Sequence, residues 1–599
     1  MHRWCRHLAA LCCAVALGMG CARAADFDWI KRSDRNAQVL LQPFAKYHPE
    51  QAGRQGVEGV DEQIVDLGPG VVKRTREDLT RAVEELKARR AETQDPLVRQ
   101  DLEILIKAGE NMVRAGDVRD RYLLPYHNVP LLVFGGIRAL LDPRVAKARQ
   151  TAALTRLKRY AGLTPDTHAL VELARERTVE RFAEKNLVGP YEAEVEQNLT
   201  DTQRYLEGIA ELFRKSGLQG WEEAHARLAR QFKDYNDWVR AEVLPRAREE
   251  NRLPEPVYAD NLIQAGVDIS PRAMMADAQF AFTEIQRQMQ ALAPLVAKEK
   301  GFKADNYRDV VRELKKQQLL SDQIMPLYSE RLAQIEAIVR RERIVTLPRR
   351  KASIRVASAA ESAQQPAPHM DPPRLIGNSG EYGEFVLPLN VPTADGSSLK
   401  TDDFTFDAAA WTLTAHEARP GHELQFATMT ERGVSIARAI FAFNSVNVEG
   451  WGLYSEAEMQ PYEPLDAQLI TLDYRLLRAA RAFLDPMLNL GLIAPEAARQ
   501  VLIRDIVASP GFAKQEIDRY TFRAPGQATS YFYGYKRLMT LRGETEVRLG
   551  SKFDRMQFND FVVNQGLLPP DLMQKAVEDE FVPSMEKTMA GGAESPAGR

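Results

Sequence analysis

The chain has 599 residues, of which 44% are hydrophobic, and its 80 lysines and arginines nearly balance its 83 aspartates and glutamates, for a net charge of −3. This length and composition predict a large soluble protein with one or two hydrophobic cores. The near-neutral charge and the lack of a basic stripe argue against a nucleic-acid partner.

The first 24 residues resemble a secretory signal peptide. Arg3 and Arg6 form its positive start, Leu8–Met19 its apolar core, and Ala22-Arg23-Ala24 its cleavage site. The apolar core is too short for a transmembrane helix, and no later run reaches eighteen apolar residues. We therefore expect an exported protein, periplasmic or secreted, without a transmembrane segment. A lipoprotein site at Cys21 ranks second.

All four cysteines (Cys5, Cys12, Cys13 and Cys21) lie in this N-terminal segment. Cleavage after Ala24 removes them, so the mature chain is expected to have neither a disulfide bond nor a thiolate metal ligand.

A helical pattern dominates residues 25–346. Asp95-Pro96, Thr164-Pro165 and Ser270-Pro271 each place a capping residue before a proline, which is typical of a helix start. Four histidines of this region are scattered without the spacing of metal ligands and are predicted to be surface or core residues: His48, His127, His168 and His225.

Residues 347–380 are rich in proline, alanine, serine and glutamine, which predicts a flexible loop or linker. His369 lies in this segment and is not expected to be a ligand, because a mobile loop cannot preorganise one. The catalytic region is predicted to span residues 381–599. It opens with the best strand candidate of the chain, Glu384–Leu389, in which Pro388 favours an edge position.

The chemistry is expected to lie in the stretch that begins at Trp411. In the common zinc-peptidase motif two histidines lie four residues apart on one helical face, and a glutamate beside the first activates water. Here His416 is followed by Glu417, but His422 comes six residues after His416, which turns it roughly 120° away on a regular helix. Pro420-Gly421 between them predicts a bulge that returns His422 to the face of His416. The same Pro-Gly pair is also compatible with a helix that simply ends there.

A carboxylate on a second helix favours the metal interpretation. Glu449 follows His422 by 27 residues and would complete a His₂Glu set, since catalytic zinc uses three protein ligands and one water. Glu456 lies seven residues later on the same helical face, where it could orient a ligand histidine.

These residues resemble a known family. HEARPGH followed by EGWGLYSE is similar to the bacterial domain of unknown function 885, which is placed in the thermolysin-like (gluzincin) metallopeptidase clan. The matching positions are His416, Glu417, Pro420, Gly421, His422, Gln425, Glu449, Gly450, Trp451, Tyr454 and Glu456. The family often has another histidine directly after the first motif, where this chain has Glu423.

The resemblance covers most of the mature chain and implies a fold and a mode of binding. The expected fold is mainly α: a large helical metallopeptidase-like fold with a small β-sheet beside the active-site helix and a deep cleft. In gluzincins an edge strand along the cleft pairs with the substrate backbone, and the resemblance implies this role for Glu384–Leu389. An ordinary edge strand without that role is an equally good interpretation.

The block Ser509–Leu541 resembles the family pattern R-Y-x-x-x-P-G-Q-A-x-x-Y-x-x-G, with one extra residue before the proline. A peptidase needs a donor opposite the metal to stabilise the oxyanion. Of Tyr520, Tyr531, Tyr533 and Tyr535, we favour Tyr531 as this donor, with Tyr535 next. Arg519 or Arg523 could bind a substrate carboxylate, and Gln527 matches the pattern. Tyrosines at helical spacing are, however, more often packing residues.

The sequence therefore predicts a zinc-dependent peptidase that acts on short peptides. Zn²⁺ would be held by His416, His422 and Glu449, and would lower the pKa of a bound water to about 7. Glu417 would take the proton of that water and pass it to the leaving amine. Two alternatives remain open: a non-catalytic binding protein that keeps the fold, and a zinc hydrolase of an ester or a non-peptide amide. The same ligand set would also accept cobalt or manganese.

Overall fold

The computed structural model describes residues 28–590 except 366, 379, 393–397 and 401. The predicted signal peptide, its cysteines and the C-terminal nine residues lie outside the described residues. The described chain is mainly helical, as predicted. None of its helices combines the length and the apolar character that a membrane crossing requires.

The helices of the N-terminal part are α1 (Asp28–Tyr47), α2 (Pro49–Gln55), α3 (Val71–Glu92), α4 (Pro96–Tyr122), α5 (Val129–Leu141), α6 (Lys147–Gln150), α7 (Ala152–Tyr160), α8 (Leu170–Val179), α9 (Glu192–Ser216), α10 (Glu222–Trp238), α11 (Glu255–Ala265), α12 (Pro271–Lys300), α13 (Tyr307–Lys315) and α14 (Ser321–Arg341). Two of their starts were predicted from capping residues. The side chain of Asp95 accepts hydrogen bonds from the backbone of Leu97 and Val98, and that of Ser270 accepts one from Ala273.

The predicted helix start at Thr164-Pro165 is wrong. Residues 161–169 form turns and irregular backbone, and α8 begins only at Leu170. The hydroxyl groups of Thr164 and Thr167 lie 2.6 Å apart, and the Thr167 N–H donates to the Thr164 carbonyl. Local side-chain bonds of this kind offer the backbone an alternative to a helix.

The helices of the C-terminal part are α15 (Ala359–Gln364), α16 (Asp407–Leu413), α17 (His422–Arg432), α18 (Ser445–Met459), α19 (Leu465–Asn489), α20 (Pro495–Asp505), α21 (Pro510–Asp518), α22 (Ser530–Leu549), α23 (Arg555–Asn564), α24 (Pro570–Ala576) and α25 (Val582–Ala590). The described part of the chain also contains five π-helical turns: Val239–Val243, Thr414–Ala418, Ala437–Phe441, Arg519–Arg523 and Val577–Phe581.

A three-stranded sheet, of order β1-β3-β2, packs against the π-helical turn Thr414–Ala418. Its strands are β1 (Ser353–Val356), β2 (His369–Asp371) and β3 (Glu384–Leu387), with β1 parallel and β2 antiparallel to β3. A separate pair consists of β4 (Asn390–Pro392) and β5 (Ser398–Lys400).

Two expectations about this region are wrong. Residues 347–380, predicted to be a loop, contain β1, α15 and β2. β3, predicted to be an edge strand, is the central strand of its sheet. Pro388 follows the last paired residue, Leu387, so its missing N–H does not interrupt the ladder. Pairing between distant segments, which local composition does not reveal, builds this sheet.

Asp371 at the end of β2 fastens the sheet to the N-terminal helices. Its carboxylate accepts hydrogen bonds from Arg54 (2.6 Å), Arg138 (3.0 Å) and Arg144 (3.1 Å). Burial raises the pKa of Asp371, but these guanidinium groups outweigh burial and hold the pKa well below its usual range.

One hydrophobic cluster, which we call the shared core, joins the first helices of the chain to the motif helices. It includes Leu40 of α1, Leu102 of α4, Leu424 of α17 and Trp451 of α18, all nearly or fully buried. The N-terminal helices thus form the support on which the motif helices pack.

Candidate metal centre

The six-residue spacing of the two histidines is resolved by a change of helix type. α16 ends at Leu413, the π-helical turn Thr414–Ala418 carries His416, and a new helix, α17, begins at His422. The two imidazole rings lie with centroids 4.5 Å apart and planes at 83°. The bulge predicted from Pro420-Gly421 takes the form of this π-helical turn and the break that follows.

Gly421 is required at the break by close backbone approach. A Cβ atom at this position would lie 1.9 Å from the carbonyl oxygen of His416, far inside contact distance. The indole N–H of Trp451 donates to the Pro420 carbonyl at 3.0 Å and so ties the break to α18. Gly421 of the PG motif and Trp451 of the EGW motif therefore determine the backbone conformation that positions the two histidines.

Three ligand atoms converge in the core of the site. The Glu449 Oε2 atom lies 3.4 Å from His416 Nε2 and 3.3 Å from His422 Nε2. Two donors that are each about 2.0–2.1 Å from a tetrahedral zinc ion lie roughly 3.4 Å apart. Glu449 Oε2 is also buried without a hydrogen-bond partner among the described residues. These spacings and this unpartnered oxygen fit a zinc ion held by His416, His422 and Glu449.

Glu456 lies behind His416. Its Oε1 atom is 2.7 Å from His416 Nδ1, and it accepts a second bond from Arg478 at 3.1 Å. Burial raises the pKa of Glu456, but Arg478 and His416 outweigh it and keep the carboxyl ionised. Because an ionised carboxylate only accepts, Nδ1 of His416 donates and Nε2 is left to face Glu449.

Gly452 leaves the space in which the His416 ring sits. A Cβ atom at Gly452 would lie 2.5 Å from Cε1 of that ring. A side chain of any size at this position would displace the ring, so α18 supplies the carboxylates of Glu449 and Glu456 and also the recess for the histidine.

Glu417 also lies close to the two histidines, with ligand atoms of all three residues within 4.8 Å of one another, but it is further from His416 than Glu449 is. Its Oε1 atom is 4.0 Å from His416 Nε2, and its side chain lines the cavity described below. Burial raises the pKa of Glu417, more than the neighbouring histidines lower it. A carboxyl group with a raised pKa next to a reaction site is suited to taking up and releasing a proton.

Tyr531, Arg519 and Gln527 form one network that reaches Glu449. The Arg519 guanidinium donates to the Tyr531 hydroxyl at 2.8 Å and to the Gln527 Oε1 atom at 3.0 Å. The Gln527 amide in turn donates to Glu449 Oε1 at 3.4 Å and to Ser445 at 2.7 Å. The predicted residues of the last block are thus brought to the ligand set.

Tyr531 also lies close to the histidines. Its ring is nearly parallel to that of His416, at 18°, with centroids 6.1 Å apart. Burial raises the pKa of Tyr531 despite the opposing charge of Arg519, so the phenol keeps its proton and can donate it in a hydrogen bond.

The second choice for the phenol, Tyr535, has a different environment from Tyr531. Tyr535 is not among the residues that line the site cavity; it packs against the shared core under the guanidinium of Arg475. Tyr535 comes four residues after Tyr531 on α22, which separates the two residues by about 6 Å along the helix axis. Tyr520 and Tyr533 are directed elsewhere, to Glu516 and Asp268.

Two glycines bring α22 and its tyrosine against α18. A Cβ atom at Gly534 would lie 2.0 Å from the Val446 carbonyl oxygen, and one at Gly450 would lie 2.6 Å from the Gly534 backbone. Both glycines belong to the motifs noted in the sequence, and their lack of a side chain lets the two helices approach closely.

A cavity of about 620 Å³ opens onto the site between the N-terminal and C-terminal helices. This volume lies within the range of about 300–1,000 Å³ that is common for small-molecule sites. The N-terminal part contributes residues of one face of α9, namely Glu194, Gln197, Asn198, Asp201 and Tyr205.

The sequence did not point to several cavity residues. Arg478 and Arg481 of α19 line the cavity, and Arg481 pairs with Glu516 at 2.6 Å. They lie three residues apart in a region without any motif, so no sequence signal identified them. His369 on β2 also lines the cavity, although it is not part of the ligand set; its Nδ1 atom is 2.8 Å from the Ala367 carbonyl.

Comparisons with known proteins identify a family and a fold. The family model described as "Bacterial protein of unknown function (DUF885)" matches residues 49–577. The crystal structure of a "putative lipoprotein" from Colwellia psychrerythraea has a TM-score of 0.74 at 17% identity, over 92% of this chain and 99% of that one. A "putative lipoprotein of unknown function" from Shewanella oneidensis has a TM-score of 0.69 at 16% identity, over 92% and 100%. These two similarities show a shared fold alone. No curated protein matches the chain.

Proposed function

The chain belongs to the bacterial DUF885 family of unknown function, and from that premise we propose that it is an exported zinc-dependent peptidase acting on short peptides. One observation carries the proposal: Nε2 of His416, Nε2 of His422 and Oε2 of Glu449 face one another at ligand spacing in the wall of a cavity. Glu417, which lines the same cavity, supplies the acid–base group that a hydrolase needs.

The residues of the chain divide the chemistry among them. When bound, zinc supplies Lewis acidity, which activates water and polarises a carbonyl group. Glu417 takes a proton from the attacking water and returns it to the leaving amine. Tyr531 donates a hydrogen bond to the oxygen on which negative charge develops. Glu456 orients the His416 ring so that its Nε2 atom faces the proposed zinc site.

The two helical motifs support a place for the family among the gluzincin peptidases, with a carboxylate from a second helix as the third ligand. The sequence led us to expect that β3 pairs with the substrate. Because β3 is the central strand and β2 an edge strand, we assign this role to β2 instead. β2 pairs with β3 on one side only, and its residues His369 and Met370 line the cavity. An extended peptide can add to a sheet edge of this kind.

Export is supported by two observations of different kind. Residues 1–24 have the pattern of a signal peptide, and both structural neighbours are named "putative lipoprotein". We propose that the mature protein acts in the periplasm or outside the cell, with cleavage after Ala24 favoured over lipid attachment at Cys21.

Removal of the metal tests the proposed function. We expect the purified mature protein to hold about one zinc ion per chain and to hydrolyse members of a panel of short peptides. Dialysis against a chelator should abolish hydrolysis, and added zinc should restore it, because all three ligands stay in place. Metal content by mass spectrometry and peptide cleavage by chromatography are the measurements. A zinc-loaded protein that cleaves only esters or non-peptide amides would contradict the peptidase assignment.

A Tyr531→Phe substitution tests the oxyanion donor. The hydroxyl is lost while the ring beside His416 is kept, so zinc content should not change. We expect kcat to fall about 100-fold or more with little change in KM, since the lost bond strengthens only in the transition state. Tyr535→Phe is the matched control and should keep wild-type kinetics. Equal kinetics for wild type and Tyr531→Phe would remove Tyr531 from the mechanism.

A further inference from the structure

The arginines that line the cavity differ in how their charges are balanced. Arg478 donates to the carboxylate of Glu456 at 3.1 Å, and Arg481 pairs with Glu516 through two bonds of 2.6 and 2.7 Å. Arg519, the first residue of the π-helical turn Arg519–Arg523, directs its donors to Gln527 and Tyr531. These three guanidinium groups therefore form hydrogen bonds with other side chains of the protein.

Arg523, the last residue of the same turn, lines the cavity but forms no hydrogen bond with another side chain of the described residues. Arg523 forms no ion pair with a carboxylate of the described residues, and its one hydrogen bond there is a long one, 3.4 Å from Nη1 to the Ala363 carbonyl. Its Nε atom is buried without a hydrogen-bond partner among the described residues. A guanidinium has five N–H donors in a planar fork, so most of this fork is open to a ligand.

The carboxylates near Arg523 already have other partners. Asp518, whose pKa burial raises and the charge of Arg523 lowers, accepts a hydrogen bond from Lys514 at 2.6 Å. Asp201 of α9 accepts bonds from Gln197 and Arg204 at 2.9 and 2.7 Å. The described residues therefore do not supply an anion to this partly buried cation.

The position of Arg523 relates it to the reaction site. Arg519, at the other end of the π-helical turn, contacts Tyr531 and is linked through Gln527 to Glu449. One helical turn spans roughly 5 Å, which is between one and two residues of an extended peptide. Arg523 also lines the same cavity as His416, His422 and Glu449, so a group bound at Arg523 lies in the space that reaches these residues.

We propose that Arg523 binds a carboxylate of the peptide substrate and so determines which peptides the site accepts. This inference rests on the proposed function, since it assigns the substrate class of the same cavity. The carboxylate is either the free C-terminus, which makes the protein a peptidase of C-terminal ends, or an aspartate or glutamate side chain.

The test measures binding, so it does not depend on turnover. Full-length mature protein with Glu417→Gln is titrated calorimetrically with three probes: N-acetyl-tetraalanine as free acid, the same peptide as C-terminal amide, and N-acetyl-trialanyl-glutamate as C-terminal amide. We expect a carboxylate form to bind about 10- to 100-fold more tightly than the tetraalanine amide, as expected for a charge-assisted pair. Whichever carboxylate form binds tightly identifies the source of the anion.

Three further variants in the Glu417→Gln background complete the test. Arg523→Gln should equalise the affinities of all three peptides, and Arg523→Lys, which keeps the charge without the fork, should retain part of the preference. Arg499→Gln removes one positive charge that pairs with Glu496 outside the cavity and should leave the preference intact.

Equal binding of acid and amides, or a full preference in Arg523→Gln, overturns the proposal. The wild-type protein could also cleave no peptide and yet show a binding preference for carboxylate peptides that depends on Arg523. That result would contradict the proposed peptidase function but support the carboxylate site.

Discussion

Replacement of Glu417 by glutamine is expected to lower kcat by about 10²- to 10⁴-fold while zinc stays bound. Glutamine has nearly the same shape but cannot take a proton from water. The Glu417 carboxylate lies 4.0 Å from His416 Nε2, whereas that of Glu449 lies 3.4 Å from it, so Glu449 should keep the metal bound when Glu417 is replaced. Steady-state kinetics on the best peptide, together with zinc content of the same preparation, measure both effects.

Glu496→Gln is a suitable control for this substitution. Glu496 is an exposed carboxylate on α20 that pairs with Arg499 and does not line the cavity. It should keep wild-type kinetics. A Glu417→Gln enzyme with more than about a tenth of the wild-type kcat would exclude Glu417 as the general base.

His422→Ala is expected to abolish zinc binding. The substitution leaves two of three protein ligands and leaves Glu449 Oε2 with one of its two histidine neighbours. We expect about one zinc per chain in wild type and almost none in the variant after dialysis. Zinc should also raise the Tm of the wild-type protein and leave that of the variant unchanged, because a ligand stabilises only the state that binds it.

His168→Ala serves as the comparison for His422→Ala. His168 is an exposed histidine of the N-terminal part, and its removal should alter neither zinc content nor the Tm shift. Stoichiometric zinc in His422→Ala would show that the ion is held by a different set of residues.

Local sequence predicted the components of the site better than their backbone geometry. Residue chemistry pointed to His416, His422 and Glu449 although six residues do not fit one helical face, because Pro420-Gly421 marked a break. The break turned out to be a π-helical turn followed by a new helix, a shape that depends on the Gly421 backbone packing on His416 and on Trp451 from α18. Such contacts between distant segments have no signature in a single stretch of sequence.

The three-stranded sheet and the cavity arginines Arg478 and Arg523 also depend on contacts between distant segments, which the sequence did not reveal. The composition of residues 347–380 predicted a loop, yet β1 and β2 form there because β3 pairs with both. Arg478 becomes relevant only because α19 passes behind Glu456, and Arg523 only because its neighbours already have partners. The mainly helical fold, in contrast, followed from periodicity and capping along the chain.

The shared core has a consequence for how this protein can vary. Its apolar residues come from both ends of the chain: Leu40 and Leu102 pack in the same cluster as Leu424 and Trp451. A buried ion pair between Asp101 and Arg438, at 2.8 Å, adds a polar link across the same contact. The region that carries His416, His422 and Glu449 is therefore not a transferable module. A shortened relative that lacked the first hundred residues would expose to water the back of the helices that carry these residues, so deletions in this family should be confined to segments outside that contact.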